Sequence, residues 1–176
     1  MKSIFIPIML GILSIGPISA VSAQGKETRA QKEAAQQAAV KSWLDAQQYV
    51  FVPQTALPMS GRAVQLTSEY TFSVTKDSVE SYLPYYGRAY TAPMDPTKSP
   101  LAFKSKQFGY KVVERKKGGW DITITPTDQR EIQSVNMTMS TDGYGSLQVT
   151  SNNRQPISFN GYFKKLKDPK TKSKSK

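Results

Sequence analysis

Arg62-Ala63-Val64-Gln65-Leu66-Thr67-Ser68-Glu69-Tyr70-Thr71-Phe72-Ser73-Val74-Thr75 is the stretch on which the fold turns. Successive side chains of an extended chain point to opposite sides. Val64, Leu66, Tyr70, Phe72 and Val74 therefore share one face, and Ala63, Gln65, Thr67, Glu69, Thr71 and Ser73 share the other. One apolar face and one polar face predict a strand of an antiparallel sheet, packed on one side and wet on the other.

Working outward, Lys76-Asp77 predicts a tight reversal, and Val79 to Tyr82 a second strand. Downstream the alternation returns repeatedly. Leu101 to Lys106 forms one strand, and Phe108, Tyr110 and Val112 line a face of the next. Trp120, Ile122 and Ile124 alternate with Asp121, Thr123 and Thr125. Val135, Met137 and Met139 share a face, Leu147 and Val149 follow, and Ile157, Phe159 and Phe163 end the series. Turn chemistry separates these runs, at Glu114 to Gly119, Pro126 to Gln129, Asp142-Gly143 and Asn152-Asn153. From Phe108 onward the strands recur about every 10 to 14 residues, the spacing of a meander. Gly161 suits a bulge in the last strand.

Upstream, Tyr49 to Val52 is a short strand ended by Pro53, and Ala56 to Gly61 is a turn region. Before it, residues from about 28 to 47 carry strong helix formers. Ala35, Ala39, Trp43 and Ala46 recur at helical spacing with Val40 and Leu44 beside them, so the helix is expected to lie on the sheet with Trp43 as its anchor. The fold expected is mainly β (α+β): one N-terminal helix on a curved antiparallel sheet or partly open barrel of about seven to nine strands in meander order.

Met1 to Ala23 reads as a signal peptide: Lys2, an apolar run from Ile4 to Ile15, and Val21-Ser22-Ala23 before Gln24. The apolar run is short for a membrane span, and no later stretch is apolar enough to cross a bilayer. The organisation expected is a signal over 1–23, one globular domain over 24–165 and a disordered lysine-rich tail over 166–176. Export places the protein in the periplasm or outside the cell, soluble after removal of the signal.

The chain has 176 residues and neither histidine nor cysteine. That excludes Ser-His-Asp and Cys-His catalysis, histidine-ligated metals, thiolate redox sites, disulfides and a cysteine-linked lipid anchor. Carboxylate, lysine and tyrosine chemistry and oxygen-ligated metals remain. Asp128 and Glu131 lie close in sequence around a turn, but match no metal-loop or glycosidase pattern. No catalytic residue, metal site or cofactor is therefore assigned.

The net charge is +11, and Lys164, Lys165, Lys167, Lys170, Lys172, Lys174 and Lys176 account for most of it. Such a tail is drawn to anionic polymers or lipid headgroups without sequence-specific recognition of nucleic acid, or serves only to keep the chain in solution.

The least average stretch is Tyr82-Leu83-Pro84-Tyr85-Tyr86-Gly87-Arg88-Ala89-Tyr90. Pro84 belongs at a strand edge, bulge or turn, and Gly87 permits a close approach. Two roles suit the segment. Tyr82, Tyr85, Tyr86, Arg88 and Tyr90 form a ligand surface, or the tyrosines close one end of the core while Arg88 pairs internally.

Leu83 to Tyr90 resembles the LPYFGRAY-type signature of a bacterial secreted family, domain of unknown function 4251. The export signal, the alanine-rich helix, the start at Tyr49-Val50-Phe51, the turn from Pro58 to Gly61 and Leu101-Ala102-Phe103 fit that family's layout. The resemblance implies an envelope location and carries no activity, cofactor or catalytic residue. Family members are often lipid-anchored through a cysteine, which this chain lacks. The functions that remain are a binding module for a small apolar or amphipathic ligand, and an envelope interaction protein that docks by a sheet edge or by the basic tail.

Overall fold

The computed structural model describes residues 28–90 and 99–166. The signal segment and the lysines from Lys167 onward lie outside the described residues. The described residues form one helix and ten strands. Helix α1 spans Arg29–Ala46, and the strands are β1 Tyr49–Pro58, β2 Val64–Gln65, β3 Thr71–Val74, β4 Val79–Leu83 and β5 Leu101–Ser105. β6 Phe108–Glu114, β7 Trp120–Pro126, β8 Ile132–Met139, β9 Tyr144–Ser151 and β10 Ile157–Lys165 complete the sheet.

The sheet order is β5-β4-β3-β1-β10-β9-β8-β7-β6, with β2 beside β1, and all pairings are antiparallel. Nine strands in that path make the first and last, β5 and β6, run in the same direction. Only Lys106 and Gln107 join them. Side-by-side parallel strands need a crossover of about a dozen residues or more. β5 and β6 are therefore successive halves of one bent strand, the first paired with β4 and the second with β7, and the sheet is nearly closed into a barrel. The inward parity changes from Leu101, Phe103 and Ser105 to Phe108 and Tyr110, as an extra residue at the bend requires.

The Asp128 carboxylate fastens that bend. It accepts from the Ser105 hydroxyl at 2.5 Å and from the Lys106 N–H at 2.9 Å, while Gln129 Nε2 donates to the Lys104 carbonyl at 2.9 Å. The Ser105 and Lys106 bonds hold the Asp128 carboxyl below the usual carboxylate range.

Large apolar side chains point into the interior. Tyr49, Phe51, Phe72, Leu83, Ile122, Ile124, Met137, Met139, Leu147 and Phe159 are among its fully buried side chains.

The expected fold class holds, and three details differ. First, the strand expected over Arg62 to Thr75 is two strands, because both halves pair with β1: Val64 with Ala56, and Phe72 with Phe51. Leu66 to Tyr70 bulges out opposite Pro53 and Gln54, where proline offers no N–H. Second, β1 does not stop at Pro53. A register shift against β10 lies between Pro53 and Thr55, and Pro53 sits beside that irregularity opposite Gly161. A side chain at Gly161 would run into the Val52 carbonyl, so glycine lets β1 and β10 approach there.

Third, the helix buries Val40 and Leu44, while Ala35 is exposed and Ala39, Trp43 and Ala46 are half-buried. The branched side chains offer more area to bury than the alanines. The apolar contact of α1 with the barrel comes from its second half. Leu44 lines a surface depression with Val112, Glu114 and Trp120, and Gln36 donates to the Asp142 carbonyl at 2.7 Å. The helix thus covers the end of the barrel built by the β6–β7 and β8–β9 hairpins. A capping box between Thr28 and Gln31 starts it, and Gln47 in the left-handed region ends it. No helix among the described residues is long and apolar enough to cross a membrane.

Candidate functional site

β4 alternates Val79, Ser81 and Leu83 inward with Glu80 and Tyr82 outward. Thr71 and Ser73 of β3 and Ala102 and Lys104 of β5 stand opposite Tyr82 and Glu80. With Ser81 and Phe103 these side chains line a shallow groove of about 450 Å³ on the outside of the barrel. Tyr82 is 58% exposed, and its ring lies 5.7 Å from that of Tyr70 at an interplanar angle of 33°. Lys104 pairs with Glu80 across the strands, and Ser73 reaches the Glu80 carbonyl at 3.4 Å. The groove offers an aromatic wall, hydroxyls and one cation–carboxylate pair, which suits an amphipathic ligand better than a wholly apolar one.

Past Leu83 the five tyrosine-stretch positions separate. Pro84 is buried, and Tyr85 is half-buried against β10 and the turn before it. The Tyr85 hydroxyl lies 2.9 Å from the Arg88 carbonyl and 3.1 Å from the Gln155 carbonyl, and it donates to them. Burial pushes the Tyr85 pKa up, against the pull of Arg154. Arg154 supplies what the sequence did not reveal: its guanidinium lies 5.7 Å from the centre of the Tyr85 ring and 3.8 Å from the Glu131 carboxylate, almost wholly buried. Arg154 Nε and Gln155 Oε1 are buried without a hydrogen-bond partner among the described residues. A bridge between Ala89 and Arg154, with Tyr90 N–H on the Asn153 carbonyl and Gln155 N–H on the Arg88 carbonyl, holds the segment to the turn before β10.

Tyr86, Arg88 and Tyr90 are exposed, Tyr90 to 69%. Tyr85 is thus an anchor, while Tyr82, Tyr86, Arg88 and Tyr90 stay exposed. Glu131, bound to Arg154, is separate from Asp128, bound at the β5–β6 bend, so the two carboxylates do not form a pair. Among the described residues no three acidic side chains gather as metal ligands would. Lys164 and Lys165 end β10, exposed.

Residues 31–163 match the model of the family described as Domain of unknown function (DUF4251). The chain belongs to the DUF4251 family. The DUF4251 fold is also seen in the crystal structure of a DUF4251 family protein from Bacteroides eggerthii DSM 20697. That protein is 16% identical, with a TM-score of 0.58 over 76% of this chain and 91% of the other. No curated protein matches this DUF4251 chain.

Proposed function

We propose that this protein is an exported, non-catalytic binding module that takes a small amphipathic ligand in the outer groove beside Tyr82. The observation that carries this reading is the groove itself, with an exposed tyrosine ring as one wall and Ser73, Thr71, Glu80 and Lys104 as polar partners. Export is supported by the signal-like Met1 to Ala23. Tyr86, Arg88 and Tyr90 extend the surface on offer next to β4. Their exposure also favours a second reading, docking to an envelope protein, since tyrosine and arginine are favoured at contact hot spots.

Native mass spectrometry of the protein purified gently from its host tests the first reading. A small-molecule adduct is expected on the wild type and absent from Tyr82→Ser, with unchanged circular dichroism. A bare mass for the wild type overturns it.

A further inference from the structure

β6 is an open edge. Arg115 N–H bonds to the Gly119 carbonyl and Thr127 N–H to the Gln107 carbonyl, which brackets the β6–β7 ladder. By the alternation of an antiparallel pair, Gly109, Lys111 and Val113 bond to β7, while Phe108, Tyr110, Val112 and Glu114 turn their N–H and C=O groups away from it. Among the described residues no strand pairs with that side. The β5 half of the same bent strand is treated differently. There Ala102 N–H, Lys104 C=O and Lys106 N–H are taken by the Ser99 carbonyl, Gln129 and Asp128. Val112 and Val113, on opposite faces of β6, are 39% and 48% exposed. Protected on one half and bare on the other, with apolar residues at the bare place, the strand has the character of a pairing surface.

We propose that the partner on this edge is a second copy of the chain, its β6 pairing antiparallel with this one about a twofold axis at Val112. A twofold interface must be self-complementary, and β6 meets that condition in this register. Val112 faces Val112 of the partner subunit, Tyr110 faces Glu114 of the partner subunit, and Lys111 faces Val113 of the partner subunit. Every residue that turns its backbone outward meets another that does so, and no like charges oppose. One step along the strand in either direction sets Lys111 against Lys111 of the partner subunit, or against Arg115 of the partner subunit, and like charges directly opposite are unfavourable. The inference concerns a surface separate from the Tyr82 groove and stands or falls without it.

Because both copies carry a net positive charge, pairing through backbone and valine strengthens as salt screens their repulsion, the reverse of a contact held by opposite charges. Sedimentation velocity of the mature protein against concentration and salt reads this directly. The expected result is a shift from one copy to two, favoured by salt.

Val112→Pro removes only an N–H that points away from β7, so the fold persists, as proline is tolerated on an edge, and dimer affinity falls at least about tenfold, the effect of losing ~1.4 kcal/mol. Val112→Lys and Val112→Glu supply a second arm: each alone stays monomeric, and the two mixed restore the dimer. A wild type that stays monomeric at every concentration and salt overturns the proposal, as does a dimer indifferent to all three substitutions.

Discussion

The Tyr85 ring occupies the space that a side chain at position 87 would need: a Cβ on Gly87 would stand 2.7 Å from the Tyr85 hydroxyl oxygen and 2.9 Å from the ring carbon that bears it. The ring has little freedom to yield, because its hydroxyl is bonded to the Arg88 and Gln155 carbonyls. Gly87→Ala is therefore expected to destabilise by about 1–3 kcal/mol, as overpacking does. Urea unfolding measures it. In the double variant with Tyr85→Ala the two costs should add to less than their sum, since the clash is gone.

Asp128 gives the barrel a weakness in acid. Its folded-state pKa lies below the ordinary value because Ser105 and Lys106 bond to the charged form. A depressed carboxylate pKa contributes stability that is present above about pH 4, the unfolded value, and is lost as pH falls through the folded value. Asp128→Asn should lower the melting temperature at neutral pH, and the gap from wild type should close as the solution is acidified below pH ~4. A gap that stays constant with pH would mean that the carboxylate charge is not what holds the bend.

At the other end of the pH scale, the Tyr49 hydroxyl lies 3.2 Å from the Tyr110 hydroxyl, and burial pushes both pKa values up, that of Tyr49 furthest. A raised tyrosine pKa contributes stability that is whole below about pH 10, the unfolded value, and disappears as pH rises from there through the folded value. Alkaline titration followed by circular dichroism is expected to unfold the protein in that window. Ionisation of these two hydroxyls, read by ultraviolet absorbance, should accompany the loss of structure.

The docked face of α1 can be tested by contrast. Leu44→Ala is expected to cost about 2–4 kcal/mol, the range for a buried leucine. Ala35→Glu, on the exposed first half, should change stability by less than ~0.5 kcal/mol. Equal effects in thermal melts would mean that the helix docks by a different face.

What the sequence revealed follows from what is local. The alternation in Trp120 to Thr125 and the Asp142-Gly143 turn are self-contained signals, and β7 and the β8–β9 hairpin stand where those signals put them. The break between β2 and β3 was not legible, because its cause is Pro53 in a different strand. The face of α1 was misjudged because periodicity counts an alanine as apolar without weighing how little area it buries. In the tyrosine stretch, the cluster was visible but the division of labour was not. Tyr85 is an anchor because Arg154 and Gln155, far along the chain, meet it; nothing in Asn152-Asn153-Arg154 marks that arginine as buried.

The place of β10 between β1 and β9 governs when the protein can become itself. Among the described residues it is the last strand, yet it pairs with the first along nearly the whole length of both. Until it emerges, β1 and β9 each lack a neighbour, and the hairpins already formed have no wall to join. Long-range pairing of this kind delays folding, because the loop between the partners must be closed before the contacts repay it. A ribosome that still holds Ile157 to Lys165 therefore holds an open chain, and release of those residues lets the barrel close.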